Sequence, residues 1–211
     1  MTNTTAKPAA KIYLLDNFDS FTYNLVDEFK QLGHEVIIYR NNVAADYIVS
    51  QIEKEPQPIV VVLSPGPGDP KSAGCLLELV KLCQGRYPLL GICLGHQAIV
   101  ECLGGEIGLA PETVHGKVSA ISHNQHPVFD GFGAKINVAR YHSLQASKVP
   151  PQLEIIAHCQ DIPMAVMSET DKILGFQFHP ESILTTQGSL LIKQSLSYLI
   201  NTDLVSSGAQ S

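Results

Sequence analysis

Residues 89–105 read Leu-Leu-Gly-Ile-Cys-Leu-Gly-His-Gln-Ala-Ile-Val-Glu-Cys-Leu-Gly-Gly. The first five are apolar or small, which predicts a buried strand over 89–93. Apolar residues at helical spacing then predict a helix over 94–103, closed by Gly104 and Gly105. A strand that runs directly into a helix, with a cysteine at the junction, is typical of the carboxyl edge of a parallel α/β sheet.

The residues before this stretch alternate between strand and helix patterns. Strands are predicted at 11–15, 35–39 and 59–63, and helices at 20–32, 43–54 and 73–83. The run Ile-Val-Val-Val-Leu at 59–63 has apolar residues on both faces, as in a central strand of a parallel sheet. We therefore expect an α/β fold with an open, mostly parallel, doubly wound sheet and helices on both faces.

After residue 105 the pattern changes to short strand-like segments without long helices. These segments lie at 117–122, 135–139, 153–157, 164–167 and 173–178. We expect antiparallel hairpins added to one edge of the sheet, and a last helix over 189–200 that covers the core. The prediction is a single domain over 11–200, with flexible tails at 1–10 and 201–211.

The composition excludes several classes of protein. The chain has 211 residues and a net charge of −6 without a basic tract, so nucleic acid is not an expected partner. The N-terminus lacks the apolar core of a signal peptide, and no apolar run reaches the roughly 18 residues of a membrane span. The five cysteines form no Cys-x-x-Cys pair, which argues against a disulfide framework and a zinc site. We expect a cytoplasmic protein with free thiols and no membrane or metal partner.

Cys93 is the candidate nucleophile. Gly91 and Gly95 lie two residues to either side of it, as a sharp strand-to-helix turn requires. The free N–H groups of the following helix would stabilise a thiolate, and the N–H of Leu94 would face a developing oxyanion. The alternative is a buried structural cysteine between packing glycines, since cysteine is among the most buried residue types.

His179 is the candidate base, and Glu181 is the group that would orient it. In the segment His179-Pro180-Glu181 the proline favours an extended chain, in which the two outer side chains point to the same side. The carboxylate would then fix the imidazole tautomer and stabilise the imidazolium. The alternatives are a loop histidine beside a solvated glutamate, or a base at His96 or His142.

The loop Ser-Pro-Gly-Pro-Gly-Asp-Pro at 64–70 follows the strand at 59–63. It lacks the Walker A pattern, and its prolines remove N–H groups that a phosphate cradle needs. A loop this stiff would instead hold the N–H of Gly66 opposite Leu94 as a second oxyanion donor. The alternative is a plain turn.

Together these motifs resemble those of the class I, triad-type glutamine amidotransferases. The resemblance to the whole family rests on the segments 91–97 and 179–181. A match to a smaller group within it rests on the segments at 15–25, 63–68, 140–144 and 176–183. This set is similar to the glutaminase subunits of anthranilate synthases and aminodeoxychorismate synthases. It covers roughly residues 11 to 200.

The resemblance implies a role for each matching position. Cys93 attacks the side-chain amide of L-glutamine and forms a γ-glutamyl thioester, His179 moves the protons, and Glu181 orients His179. The backbone N–H groups of Gly66 and Leu94 hold the oxyanion. The remaining substrate-binding positions that it implies are Pro67, Gly68, Gln97, Ser143 and Leu144.

The resemblance also implies a partner and no cofactor within this chain. A separate synthase subunit, component I, would bind chorismate with magnesium and receive the ammonia. The product would be anthranilate for tryptophan biosynthesis, or 4-amino-4-deoxychorismate for folate. Two further alternatives are a non-catalytic regulatory protein and a cysteine peptidase or γ-glutamyl hydrolase.

Overall fold

The computed structural model of the protein describes residues 10–200 and contains a nine-stranded sheet. Five of its strands are parallel: β1 (Lys11–Asp16), β2 (Glu35–Arg40), β3 (Ile59–Leu63), β4 (Leu89–Ile92) and β11 (Ile173–Phe176). They lie side by side in the order β2-β1-β3-β4-β11. The carboxyl ends of β3, β4 and β11 therefore meet at one edge of the sheet.

Four antiparallel strands extend the sheet beyond β11. They are β6 (Lys117–His123), β7 (Lys135–Arg140), β9 (Glu154–Cys159) and β10 (Ile162–Ser168). Their order away from β11 is β10-β9-β6-β7. A separate antiparallel pair joins β5 (Glu106–Leu109) to β8 (Leu144–Lys148).

Five α-helices cover the sheet, and alternate strand residues bury against different helices. They are α1 (Thr22–Gln31), α2 (Ala45–Ile52), α3 (Leu76–Cys83), α4 (Leu94–Cys102) and α5 (Gly188–Ile200). Val60 and Val62 of β3 pack in the cluster that holds α1 and α5, whereas Val61 and Leu63 pack with α2, α3 and α4. This period of two places one apolar layer on each face of the sheet.

The expected α/β class and the mostly parallel, doubly wound sheet with an antiparallel edge are confirmed. The expectation that 173–178 belongs to the antiparallel edge is correct for one side of β11 and wrong for the other. This strand pairs in parallel with β4 on one side and antiparallel with β10 on the other, so it joins the two parts of the sheet. β5 and β8 were missed, because both are short and only their mutual pairing defines them.

Several boundaries also differ from the expectation, by one to three residues. The helix predicted over 73–83 begins only at Leu76, because residues 70–72 form a separate turn that the Asp69 side chain caps. Ala10, which was expected in a tail, is 1% exposed and packs in the core. The rest of the predicted tails, 1–9 and 201–211, lies outside the described residues, and the single domain over 11–200 stays a prediction. No helix within residues 10–200 is long and apolar enough to cross a membrane.

Candidate active site

Cys93 lies at the junction of β4 and α4 in a strained backbone conformation, with a φ of 49° and a ψ of −97°. Its N–H donates to the carbonyl of Phe176 on β11 at 2.7 Å, and its carbonyl accepts from the N–H of Gln97 at 3.0 Å. The neighbouring strand and the helix thus hold this turn from both sides. The thiol is only 7% exposed and lies at the N-terminus of α4, where the helix dipole favours an anion.

Glycine is required on both sides of Cys93, because neither position has room for a Cβ atom. A Cβ on Gly91 would lie 2.6 Å from the carbonyl carbon of Gly95. A Cβ on Gly95 would lie 2.6 Å from the Cβ of Leu63 and closer still to the Leu63 carbonyl oxygen. α4 therefore packs backbone to backbone against the ends of β3 and β4, which fixes the direction of its N-terminus.

The proline-rich loop lies directly against the start of α4. A Cβ on Gly66 would meet the Leu94 side chain at 2.7 Å and the Asn17 Cβ at 2.6 Å. Asn17 donates through Nδ2 to the carbonyl of Ser64, and its own N–H donates to the Ser64 hydroxyl, both at 2.9 Å. These buried hydrogen bonds anchor the loop against the start of α4.

His179 and Glu181 form the predicted pair. Nδ1 of His179 lies 2.7 Å from Oε1 of Glu181, and both side chains are buried. Since a carboxylate only accepts hydrogen bonds, Nδ1 carries a proton and Nε2 is left for the nucleophile. Nε2 makes no hydrogen bond of ordinary length to any residue between 10 and 200.

The pKa of His179 reports the influence of its neighbours. Burial lowers this pKa, but the nearby Cys93 and the hydrogen-bonded Glu181 outweigh burial and raise it to about 10. Cys93 is thus a neighbour of the imidazole, but no hydrogen bond of ordinary length joins the two side chains. A histidine with a pKa this high is an imidazolium at neutral pH.

The other two candidate histidines are not placed to act as the base. His142 is neutral, because burial foremost, and then the charge of Arg140, lower its pKa to about 4. Its Nε2 accepts from Arg140 Nε at 3.0 Å, and its Nδ1 donates to the carbonyl of Leu144 at 2.9 Å, so both ring nitrogens are engaged. His96 is fully buried against Gly175, and burial lowers its pKa to about 3.

A cavity of about 140 Å³ opens beside Cys93. It brings together most of the sequence-predicted substrate-binding positions. Its lining consists of Gly66, Pro67, Gly68, Cys93, Gln97, Tyr141, His142, Ser143 and Leu144. Leu94 does not line it, although its side chain packs against Gly66.

Sequence reasoning missed several residues that hold this site. Thr185 donates to the carbonyl of His179 at 2.7 Å and accepts from the N–H of Ala139 at 2.9 Å, which fastens the histidine to β7. The rings of Phe21 and Tyr141 cover the imidazole, with centroids 5.4 Å and 5.0 Å from it. Their positions depend on long-range packing, so no local pattern indicates them.

The remaining thiols lie apart from this geometry. Cys75 and Cys83 are buried, Cys102 and Cys159 are half-buried, and all are free. Burial raises the pKa of Cys83 to about 12 and that of Cys102 to about 11, which makes these thiols unreactive. Within residues 10–200 no group of three or more His, Cys, Asp or Glu side chains is placed to share a metal ion.

Comparison with known proteins adds a family assignment to this geometry. Residues 13–198 match the family described as glutamine amidotransferase class-I. Anthranilate synthase component 2 of Vibrio parahaemolyticus is 50% identical over 191 residues, which span 90% of this chain and 97% of that protein. Anthranilate synthase component 2 of Helicobacter pylori (strain J99) is 47% identical over 189 residues, with the same coverage.

Solved structures share the fold at lower identity. One is a Thermoplasma acidophilum protein described as a GMP synthase subunit, which superposes with a TM-score of 0.78 at 23% identity. The match covers 90% of this chain and 94% of that protein. A glutamine amidotransferase from Thermotoga maritima gives a TM-score of 0.69 at 14% identity, with 92% and 99% covered.

Proposed function

Because the chain belongs to the class-I glutamine amidotransferase family, we propose that it is the glutaminase subunit of an anthranilate synthase. The observation that carries this proposal is the cysteine turn. A strained Cys93 at the N-terminus of α4 faces a buried His179–Glu181 pair and a cavity lined by the predicted glutamine-binding residues. The names of the two relatives described above support the anthranilate route.

The chemistry follows from the positions of the charges. The Cys93 thiolate attacks the side-chain carbonyl of glutamine, and the N–H groups of Gly66 and Leu94 stabilise the oxyanion that forms. The His179 imidazolium gives its Nε2 proton to the departing ammonia, which leaves a γ-glutamyl thioester on Cys93. The neutral imidazole then takes a proton from water as water attacks the thioester, and glutamate is released. Glu181 keeps the Nδ1 proton in place throughout.

The cavity supplies groups for the amino-acid end of glutamine. Both N–H bonds of the Gln97 amide are in use, one to the carbonyl of Leu144 and one to Gln177. The Gln97 amide oxygen therefore remains as an acceptor for the substrate ammonium group. The carbonyl of Leu144 already accepts from Gln97 and His142, so Ser143 and Leu144 would offer backbone N–H groups to the substrate carboxylate.

The ammonia needs an acceptor, which we place on a separate synthase subunit that binds chorismate with magnesium. The proposal requires no cofactor in this chain, because thiolate and imidazole suffice for amide hydrolysis. It also requires that Cys93 stay reduced. A reducing compartment, the cytoplasm, is the location that we propose, and the five free thiols support it.

The test reconstitutes the complex of this chain with a synthase subunit. The chain is purified with an anthranilate synthase component I, and anthranilate fluorescence is followed with chorismate, magnesium, and either glutamine or ammonium. Cys93→Ala should abolish glutamine-dependent synthesis and leave ammonium-dependent synthesis intact. Cys102→Ala, at the other end of the same helix, is the matched control and should leave both intact. Glutamine use that survives Cys93→Ala contradicts the mechanism. Formation of aminodeoxychorismate alone, with the corresponding synthase subunit, would reassign the acceptor.

A further inference from the structure

Gln177 lies between the nucleophile and the wall of the cavity. It follows β11 directly and is fully buried. Its side-chain nitrogen, Nε2, lies 3.7 Å from Sγ of Cys93, within reach of an N–H···S hydrogen bond. Its oxygen, Oε1, accepts from Nε2 of Gln97 at 3.2 Å. The Gln177 amide thus bridges a cavity residue and the reactive sulfur.

The orientation of this amide is set by its neighbours. Nε2 of Gln97 also donates to the carbonyl oxygen of Leu144 at 3.2 Å, and a carbonyl oxygen only accepts. Gln97 therefore presents its NH₂ group to both partners. Gln177 must turn its oxygen to Gln97, so its own NH₂ group faces Cys93.

The extended backbone after β11 places the Gln177 side chain on the face that meets Cys93. Its N–H donates to the carbonyl of Met164 on β10 at 2.9 Å, which keeps the chain extended beyond β11. Side chains alternate in an extended chain, so Phe178 enters the core while Gln177 and His179 share the face that meets Cys93. One short segment therefore brings two polar side chains to the same sulfur.

We propose that Gln177 is a positioning residue for the nucleophile: its amide N–H donates to the Cys93 thiolate and holds the sulfur beside the oxyanion loop. The hydrogen-bonded series from Leu144 through Gln97 and Gln177 to Cys93 joins the cavity wall to the reacting atom. A packing role alone would be met by an apolar side chain, since burying an amide costs free energy unless its polar atoms are paired. An anionic acceptor makes the N–H group most effective. The effect on turnover rests on the proposed function; the effect on the thiolate does not.

The test measures the thiolate without glutamine. Iodoacetamide alkylation of Cys93 is followed against pH by fragment-resolved mass spectrometry, which separates it from the other cysteines. Gln177→Met keeps the length of the side chain and removes the donor. We expect the pH midpoint of alkylation to rise by about one unit, which corresponds to a tenfold weaker ionisation of the thiol. Gln177→Glu puts a carboxylate at the same place and should raise the midpoint further.

Turnover gives a second readout that a packing role would not reproduce. With the synthase subunit present, Gln177→Met should lower kcat for glutamine about tenfold and change KM less than about threefold, since its amide acts on the sulfur. Gln84→Met is the matched control. Gln84 also donates its amide, to Asp171 at 3.1 Å, but it follows α3 at the opposite edge of the sheet. It should shift neither the alkylation midpoint nor kcat.

The outcomes separate the two proposals. A shifted midpoint without any glutaminase activity in the unmodified complex supports the role of Gln177 and refutes the proposed function. An unchanged midpoint in a folded Gln177→Met refutes the positioning role, whatever happens to turnover. If neither Gln177 variant folds, Gln97→Met removes the donor that orients the Gln177 amide. A smaller upward shift then supports the proposal, and an unchanged midpoint overturns it.

Discussion

Replacing Gly95 by alanine should damage the active site through one misplaced methyl group. Its Cβ would lie 2.6 Å from the Cβ of Leu63, about 1 Å short of an ordinary van der Waals contact. The neighbours include the Leu63 backbone, which cannot rotate away. The start of α4 must therefore move by about 1 Å, and Cys93 and the N–H of Leu94 move with it.

The magnitudes follow from this displacement. Overpacking of this kind costs about 3 kcal/mol, and the better helix propensity of alanine offsets about 1 kcal/mol. The net loss of about 2 kcal/mol should lower Tm by about 4–8 °C for a chain of this size. A 1 Å shift of reacting groups costs about 100-fold in kcat.

The assay measures glutamine-dependent turnover in the complex at a temperature where circular dichroism shows both proteins folded. Gly133→Ala is the matched control, because its Cβ would meet nothing closer than the Lys135 carbonyl oxygen at 3.8 Å. That control should keep Tm and kcat within error. A folded Gly95→Ala with kcat within twofold of the unmodified chain would refute the claim that the α4 packing fixes the nucleophile.

Three further predictions concern the histidines and their supports. His96 has a pKa of about 3 when folded and about 6.5 when unfolded, so the free energy of unfolding falls as pH drops below 6.5, by about 2 kcal/mol at pH 5. His142, with a folded pKa of about 4, contributes in the same direction, so His96→Leu should reduce the difference between urea titrations at pH 7 and pH 5 by about 2 kcal/mol without removing it. An unchanged difference would contradict this reasoning. Glu181→Gln removes one of the charges that raise the His179 pKa and should lower kcat by up to about 10⁴-fold in steady-state assays. A near-normal kcat would rule out an orienting role. Thr185→Val removes two buried hydrogen bonds around His179 and should lower the free energy of unfolding, measured by chemical denaturation, by about 2 kcal/mol. Thr186→Val is the neighbouring control, and equal losses in both variants would count against a specific role of Thr185.

Periodicity predicted the central part of the fold. The run at 59–63 became β3 without change, and the alternation before residue 105 gave the right order of parallel strands and helices. The glycines beside Cys93 predicted the turn, because the need for space there is local in sequence. His179 and Glu181 were found for the same reason, since they lie two residues apart.

What the sequence did not reveal depends on pairing between distant segments. β11 joins β4 across more than 80 residues, so its parallel partner left no local mark. β5 and β8 are each too short to be distinguished from loops until they pair. Gln177 could have been inferred from its position two residues before His179, which places both on one face. That pattern predicts which face of the chain Gln177 lies on. It does not predict the contact with Cys93, which depends on the tertiary fold.

The covalent intermediate is the most direct measurement of the central claim. The complex is mixed with glutamine, quenched in acid within milliseconds to seconds, and analysed by mass spectrometry. The account predicts a mass increase of one γ-glutamyl group on Cys93 alone, which forms before glutamate accumulates and is absent in Cys93→Ala. Ammonia release without any adduct on Cys93, or with an adduct on another cysteine, would contradict it.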